Sequence, residues 1–293
     1  MVRAKRSKRN RQRQRRRTKR AQRGGSSDSV VWTFNNNAGF GCTVNMMCNS
    51  YIVAKEENKP FYIENGNWQY THKDGWHDYF KSLTVYDPLK HAGKPSKFKH
   101  MSPQPPPRAF EKYSKCAKDI FVLNDDLEKK VNDFIRTMGK PYKAIYVRRG
   151  DKTSGPGKET DPVDLSGLIQ IMDISGNDKL FIMSDDYTVN EEIEKLLPNV
   201  KLFTLTPKEN RGSEVLALRA LPREKMKEHA EELFTSLAIV IRAEKAWVDN
   251  RSNLGRFMKL ASPDTVILYP VEEYTKNIKP DTPIEPGGKS LGT

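Results

Sequence analysis

Two adjacent arginines close the apolar run in AIYVRRGDKTSG, residues 144–155: Arg148 and Arg149, followed at once by Gly150, Asp151 and Lys152. Arginine presents a planar fork of donors that matches phosphate oxygens in pairs, and it stays cationic at any physiological pH. Phosphate binding is therefore one chemistry this stretch supports. An adhesion tripeptide (Arg149-Gly150-Asp151) and a piece of nucleic-acid-binding surface are the other two readings. Two further polar clusters follow the same pattern: Ser184, Asp185 and Asp186 after KLFIM (179–183), and Asp249 after AWV (246–248), with Ser252 opening the next helix and Arg256 one turn later. Singly, Arg149 with Asp151 reads equally well as a solvated ion pair, and Asp185-Asp186 as a loop cap. Three clusters at successive strand ends point instead to one site, a nucleotide diphosphate site. Ser252 at a helix amino end would add free N–H groups for an anion. The carboxylates would bind ribose hydroxyls or a guanine edge, or hold the arginines. A magnesium ion on Asp185 and Asp186 is the competing reading; no metal is expected.

The elements that must position these residues alternate. VVWTF (30–34) predicts a strand, NNNAGFG a loop containing Gly39 and Gly41, CTVNMMCNSYIVAKEE (42–57) a helix and PFYIE (60–64) a second strand, a βαβ unit with a glycine-containing first turn. Residues 66–112 give no clean period and predict loops and short helices, ending in the linker-like SPQPPPR (102–108). The aromatic residues of NGNWQYTHKDGWHDYF (65–80) suit either a sugar platform or core packing, and His72 and His77 read as surface or loop residues. NDDLEKKVNDFIRTMG (124–139) reads as a helix capped by Asn124 and stopped by a glycine. Beyond Pro141 the order is regular: strand 143–147, helix 163–173, strand 179–183, helix 188–197, strand 200–205, a long amphipathic helix 223–244, strand 246–248, helix 252–261 and strand 265–269. Continuous apolar strands between helices describe a parallel sheet covered on both faces. Ligands of such sheets bind at the carboxyl ends of the strands, where the three clusters fall.

The formal charge of +14 suggests a polyanion partner until its location is considered. Residues 1–27 hold 13 of the 51 Lys and Arg and none of the 37 Asp and Glu, so the rest of the chain carries 38 basic against 37 acidic side chains. The charge belongs to a tail with no apolar period, expected to be disordered and suited to nucleic acid or an anionic membrane. Cys42, Cys48 and Cys116 match neither a disulfide framework nor a zinc site, and no apolar run is long enough for a transmembrane helix. A reducing compartment, the cytoplasm, is the expectation. These features place the adhesion reading last and assign any nucleic-acid contact to the tail.

YVRRGDK resembles the HxRRxDK motif of the α1,6-fucosyltransferases that modify N-glycan cores or rhizobial Nod factors. MSDD resembles the second motif of that family and RSNLGR its third; AGFGCTVNMMCNSYIVAKEENKPFYIENGNWQY is similar to its amino-terminal GFGC segment. The resemblance covers about residues 30–270, with 66–140 largely unmatched. It implies a GT-B-like fold, two Rossmann-like domains facing a cleft: an acceptor-side domain (29–140) and a nucleotide-sugar domain (141–270), with tails at 1–28 and 271–293. It implies an inverting, metal-independent transfer of fucose from GDP-fucose to a glycan hydroxyl, with Arg148 on the β-phosphate and Lys152 beside it. Donor contacts fall on Gly39, Gly41, Tyr146, Arg149, Asp151, Asp185, Asp186, Ser252 and Arg256. The chain departs from the pattern at Tyr146, where the family has histidine, and at Leu237, where it has a guanine-reading aspartate. A third departure is Pro156, where the family carries its glutamate base, leaving Glu159 as the nearest carboxylate and the expected base. The alternatives are a transferase using another nucleotide sugar, or a nucleic-acid-binding protein whose basic arm is joined to a degenerate transferase body.

Overall fold

The computed structural model describes residues 29–34, 38–87, 89–90, 109–154, 158–212, 217–218 and 220–269. The basic segment 1–28, the 102–108 stretch, Pro156 and the segment 271–293 lie outside the described residues. Among the described residues eight strands, β1 (Val30–Thr33), β2 (Phe61–Glu64), β3 (Thr84–Val85), β4 (Lys143–Val147), β5 (Lys179–Ser184), β6 (Lys201–Thr204), β7 (Lys245–Asp249) and β8 (Val266–Tyr269), form two sheets. The first is parallel, in order β1-β2-β3. The second is parallel throughout, in order β6-β5-β4-β7-β8, so the order of the chain reverses between β4 and β7. Seven α-helices are described: α1 (Phe40–Glu56), α2 (Phe110–Ile120), α3 (Asp125–Met138), α4 (Leu165–Ile171), α5 (Thr188–Leu196), α6 (Arg223–Ile241) and α7 (Asn253–Ala261).

The second sheet forms because its strands are apolar on both faces. Along β4, β5 and β7, Tyr146, Phe181, Met183 and Val248 face a large core shared with α6 and α7. Ile145, Val147, Leu180, Ile182 and Trp247 face a smaller one under α4 and α5. This period of two is the pleat of a strand read against two layers of helix. The pairings Val147↔Ser184 and Tyr146↔Val248 bring the carboxyl ends of the three central strands level. Whatever follows each strand emerges on one edge.

The large core does not stop at the second sheet. It includes Val44 and Met47 of α1, Ile63 of β2, and Trp76, Tyr79 and Phe80. Phe234 of α6 packs with ring centroids 4.7 Å from Phe40, 5.0 Å from Tyr79 and 4.9 Å from Phe80. Polar contacts follow the same seam. His72 lies 2.7 Å from Glu224, and Arg242 grips Glu128 through two nitrogens at 2.7 and 2.9 Å. The aromatic run at 65–80 is therefore core: Trp68, Tyr70, Trp76, Tyr79 and Phe80 are all buried. His72, expected at the surface or in a loop, lies in a loop and is buried there because its ring meets α6.

Two elements were not anticipated, the short strand β3 and the helix α2. The predicted helix at 124–139 is α3, with the Asn124 side chain accepting from Leu127 N at 3.0 Å. The long helix ends at Ile241, three residues earlier than expected.

Candidate functional site

At the reversal point between β4 and β7 lies a cavity of about 420 Å³. Such crevices are where open parallel sheets bind ligands. Arg148 leaves the end of β4 into it, and two carboxylates hold its guanidinium. Nη1 donates to Asp185, and Nη2 donates to Asp151 at 2.6 Å. Asp185 also accepts from the backbone N–H of Arg149 at 2.7 Å, which locks the loop after β4 to the loop after β5. An arginine held by its terminal nitrogens is fixed in place without losing its charge.

Two helix amino ends converge on the same cavity. Gly39, Phe40, Gly41 and Cys42 open α1; Ser252, Asn253 and Leu254 open α7. Asn45 of α1 donates to the carbonyl of Asn253 at 3.0 Å. The approach is so close that a Cβ on Gly41 would lie 2.4 Å from the Leu254 nitrogen, so only glycine fits. Each helix brings roughly half a positive charge to its amino end, and both ends meet here. Ser252 caps α7, its Oγ accepting from Leu254 N at 3.2 Å, and pairs at 2.9 Å with the hydroxyl of Tyr146. That buried tyrosine thus ties the end of β4 to the start of α7.

The remaining expected residues divide. Lys152 and Glu159 line the cavity and pair with one another; the Glu159 side chain is 63% exposed. Arg149, Asp151, Asp186 and Arg256 do not line it. Arg149 turns to Glu192 of α5 at 2.8 Å. Asp186 accepts from the N–H and hydroxyl of Thr188, both at 2.8 Å, and so caps α5. The Arg256 guanidinium lies 3.5 Å from Asn253 on its own helix.

Two cavity groups were missed. Arg251 is clamped to the buried Asp249, its Nε and Nη2 each donating at 2.9 Å. Its place beside Asp249 and Ser252, just before a helix, was the available signal. Glu232, on α6, carries no motif. Burial pushes its carboxyl up to about 7, with the nearby Glu209 adding to the effect. One turn earlier, burial holds His229 below the ordinary histidine range. Leu237, at the family's guanine-reading position, is fully buried, whereas its neighbour Ser236 lines the cavity.

Among the described residues no group of three or more His, Cys, Asp or Glu is placed to hold a metal ion, and no helix is long and apolar enough to cross a membrane.

The fold is a GT-B-like α/β architecture. No family model matches the chain, and no curated protein matches it in sequence. The chain is similar in structure to the NodZ α1,6-fucosyltransferase soaked with GDP-fucose, with a TM-score of 0.52 and 12% identity over 84% of this chain and 96% of that one. The selenomethionine form of NodZ from Bradyrhizobium aligns with a TM-score of 0.51, again at 12% identity, over 84% and 96% of the two chains. POFUT1 in complex with GDP-fucose aligns with a TM-score of 0.54 at 12% identity, over 84% of this chain and 98% of that one.

Proposed function

We propose that this chain is a glycosyltransferase that moves fucose from GDP-fucose to a hydroxyl of a glycan acceptor, with inversion and without a metal ion. The observation that carries the reading is the convergence of Arg148 with the amino ends of α1 and α7 on one cavity at the carboxyl edge of a parallel sheet. A pyrophosphate is the ligand such a set of donors suits. As the sugar leaves, negative charge grows on the β-phosphate oxygen. A guanidinium already fixed by Asp151 and Asp185 meets that charge without reorganising, which is typically the largest single contribution to catalysis. Lys152 stands at the same wall and adds a second cation. The support from comparison is the fold shared with proteins solved with GDP-fucose.

Calorimetry with GDP on Arg148→Ala tests the phosphate assignment. Losing charge-assisted hydrogen bonds of about 1.5–3 kcal/mol weakens Kd by roughly ten- to a hundredfold. Undiminished affinity removes the phosphate site from Arg148. A thermal-shift panel of GDP-fucose, GDP-mannose and UDP-sugars reads the donor: the largest stabilisation is expected from GDP-fucose, and a larger one from another nucleotide sugar reassigns it.

A further inference from the structure

Resting on that transferase reading, we propose that the Glu232 carboxylate takes the proton from the attacking hydroxyl. An inverting transfer needs such an acceptor within hydrogen-bond reach of the nucleophile. Four carboxylates line the cavity, Glu159, Asp185, Glu232 and Asp249. Three of them are committed elsewhere. Asp185 holds Arg148, Asp249 holds Arg251 through both oxygens, and Glu159 pairs with Lys152 at an exposed position. A carboxylate whose oxygens are already held by a cation is not free to receive the proton of an incoming hydroxyl. Glu232 has no hydrogen bond or ion pair among the described residues.

Position supports the same choice. Helix α6 runs along the seam between the two halves, its Glu231 paired with Lys130 of α3 and its Glu224 with His72. Glu232 therefore sits on a helix at the seam and lines the same cavity as Arg148 of the second half and Gln69 and Tyr70 of the first. Arg148 and the two helix ends mark the phosphate end of the same cavity. A hydroxyl that enters this cavity to reach the sugar finds Glu232 among its walls.

The step balances simply. The acceptor oxygen forms its bond to C1 of the sugar while the bond from C1 to the β-phosphate oxygen breaks. The electron pair of the broken bond stays on that oxygen of the departing nucleoside diphosphate, beside Arg148. The acceptor proton moves to a Glu232 oxygen and is later released to water. Attack on the face opposite the leaving group inverts the centre. A base titrating near neutrality serves this chemistry well, and burial places Glu232 there. Glu209, from the loop after β6, acts on its charge, and His229 of its own helix lines the same cavity with Tyr70 and Cys42 of the first half.

GDP release from GDP-fucose by the full chain, in water alone and with a panel of free sugars as acceptors, tests the assignment alongside GDP calorimetry. Glu232→Gln is expected to lower kcat by about a hundredfold or more. GDP affinity should stay within about twofold. The wild-type rate should rise with pH and level off above about pH 7, a rise that the glutamine variant lacks. Glu232→Asp should regain part of the rate. A loss below about threefold, a larger loss in Glu159→Gln, or a collapse of GDP affinity in Glu232→Gln each overturns the role. A wild-type chain that binds GDP but leaves GDP-fucose intact with every acceptor removes the base while the phosphate site stands. A chain that binds no GDP removes both readings.

Discussion

Arg148 and Arg149 look like twins in the sequence, and the backbone separates them. Successive residues leaving a strand point to opposite sides. One guanidinium turns to Asp151 and Asp185 at the cavity, the other to Glu192 on α5. Glu232 has a stability consequence distinct from its proposed chemistry. Its folded carboxyl titrates near 7, above the ordinary value of 4.5, so folding favours the protonated form. The protonated state is fully present below about pH 4.5, and the stability linked to it is lost as pH rises through 7. Glu232→Gln removes this loss. Thermal unfolding should show the variant gaining on wild type between pH 5 and pH 8, by a few kcal/mol at most, since one pKa unit corresponds to about 1.4 kcal/mol. An equal difference at both pH values would contradict the burial that sets the shift.

Helix α7 shows how an element positions a site. Its first turn opens on the cavity, and its placement depends on glycine at both contacts. A Cβ on Gly255 would lie 2.2 Å from the carbonyl oxygen of Asp249, the last residue of β7. Gly255→Ala must push α7 away from the strand end, an overpacking that costs about 1–3 kcal/mol, measurable as a lowered midpoint in urea. An unchanged midpoint would mean the helix relaxes freely. Most elements of the second half were legible to within two or three residues, because strands buried on both faces are uninterrupted apolar runs. Helix α2 was legible in principle: Tyr113, Cys116, Ala117 and Ile120 are buried at helical spacing, but the apparent disorder of the pattern from 66 to 112 obscured its start. The strand β3 is only two residues long and carries no period at all. The arginine and serine of the cavity were readable because strand ends and helix caps are local signals, whereas Tyr146 was named only through the family resemblance. Glu232 was not readable, since its relevance depends on where α6 comes to rest in space.

The whole molecule is held by a core that both halves share. Phe234 is fully buried and touches the rings of Phe40, Trp68, Tyr70, Tyr79 and Phe80, all from the first half. Truncating such a side chain typically costs about 3–5 kcal/mol. Phe234→Ala should lower the stability of both halves together, seen as one calorimetric transition shifted downward. Two separated transitions would show that the halves unfold independently. The same helix has a practical implication for anyone recombining this chain with its structural relatives. The half that would bring an acceptor and the half that would bring a donor are not interchangeable cassettes. A chimaera joined between α3 and β4 inherits α6 from one parent and its aromatic socket from the other, so a new specificity can be grafted only if Phe234 and the rings that receive it travel together.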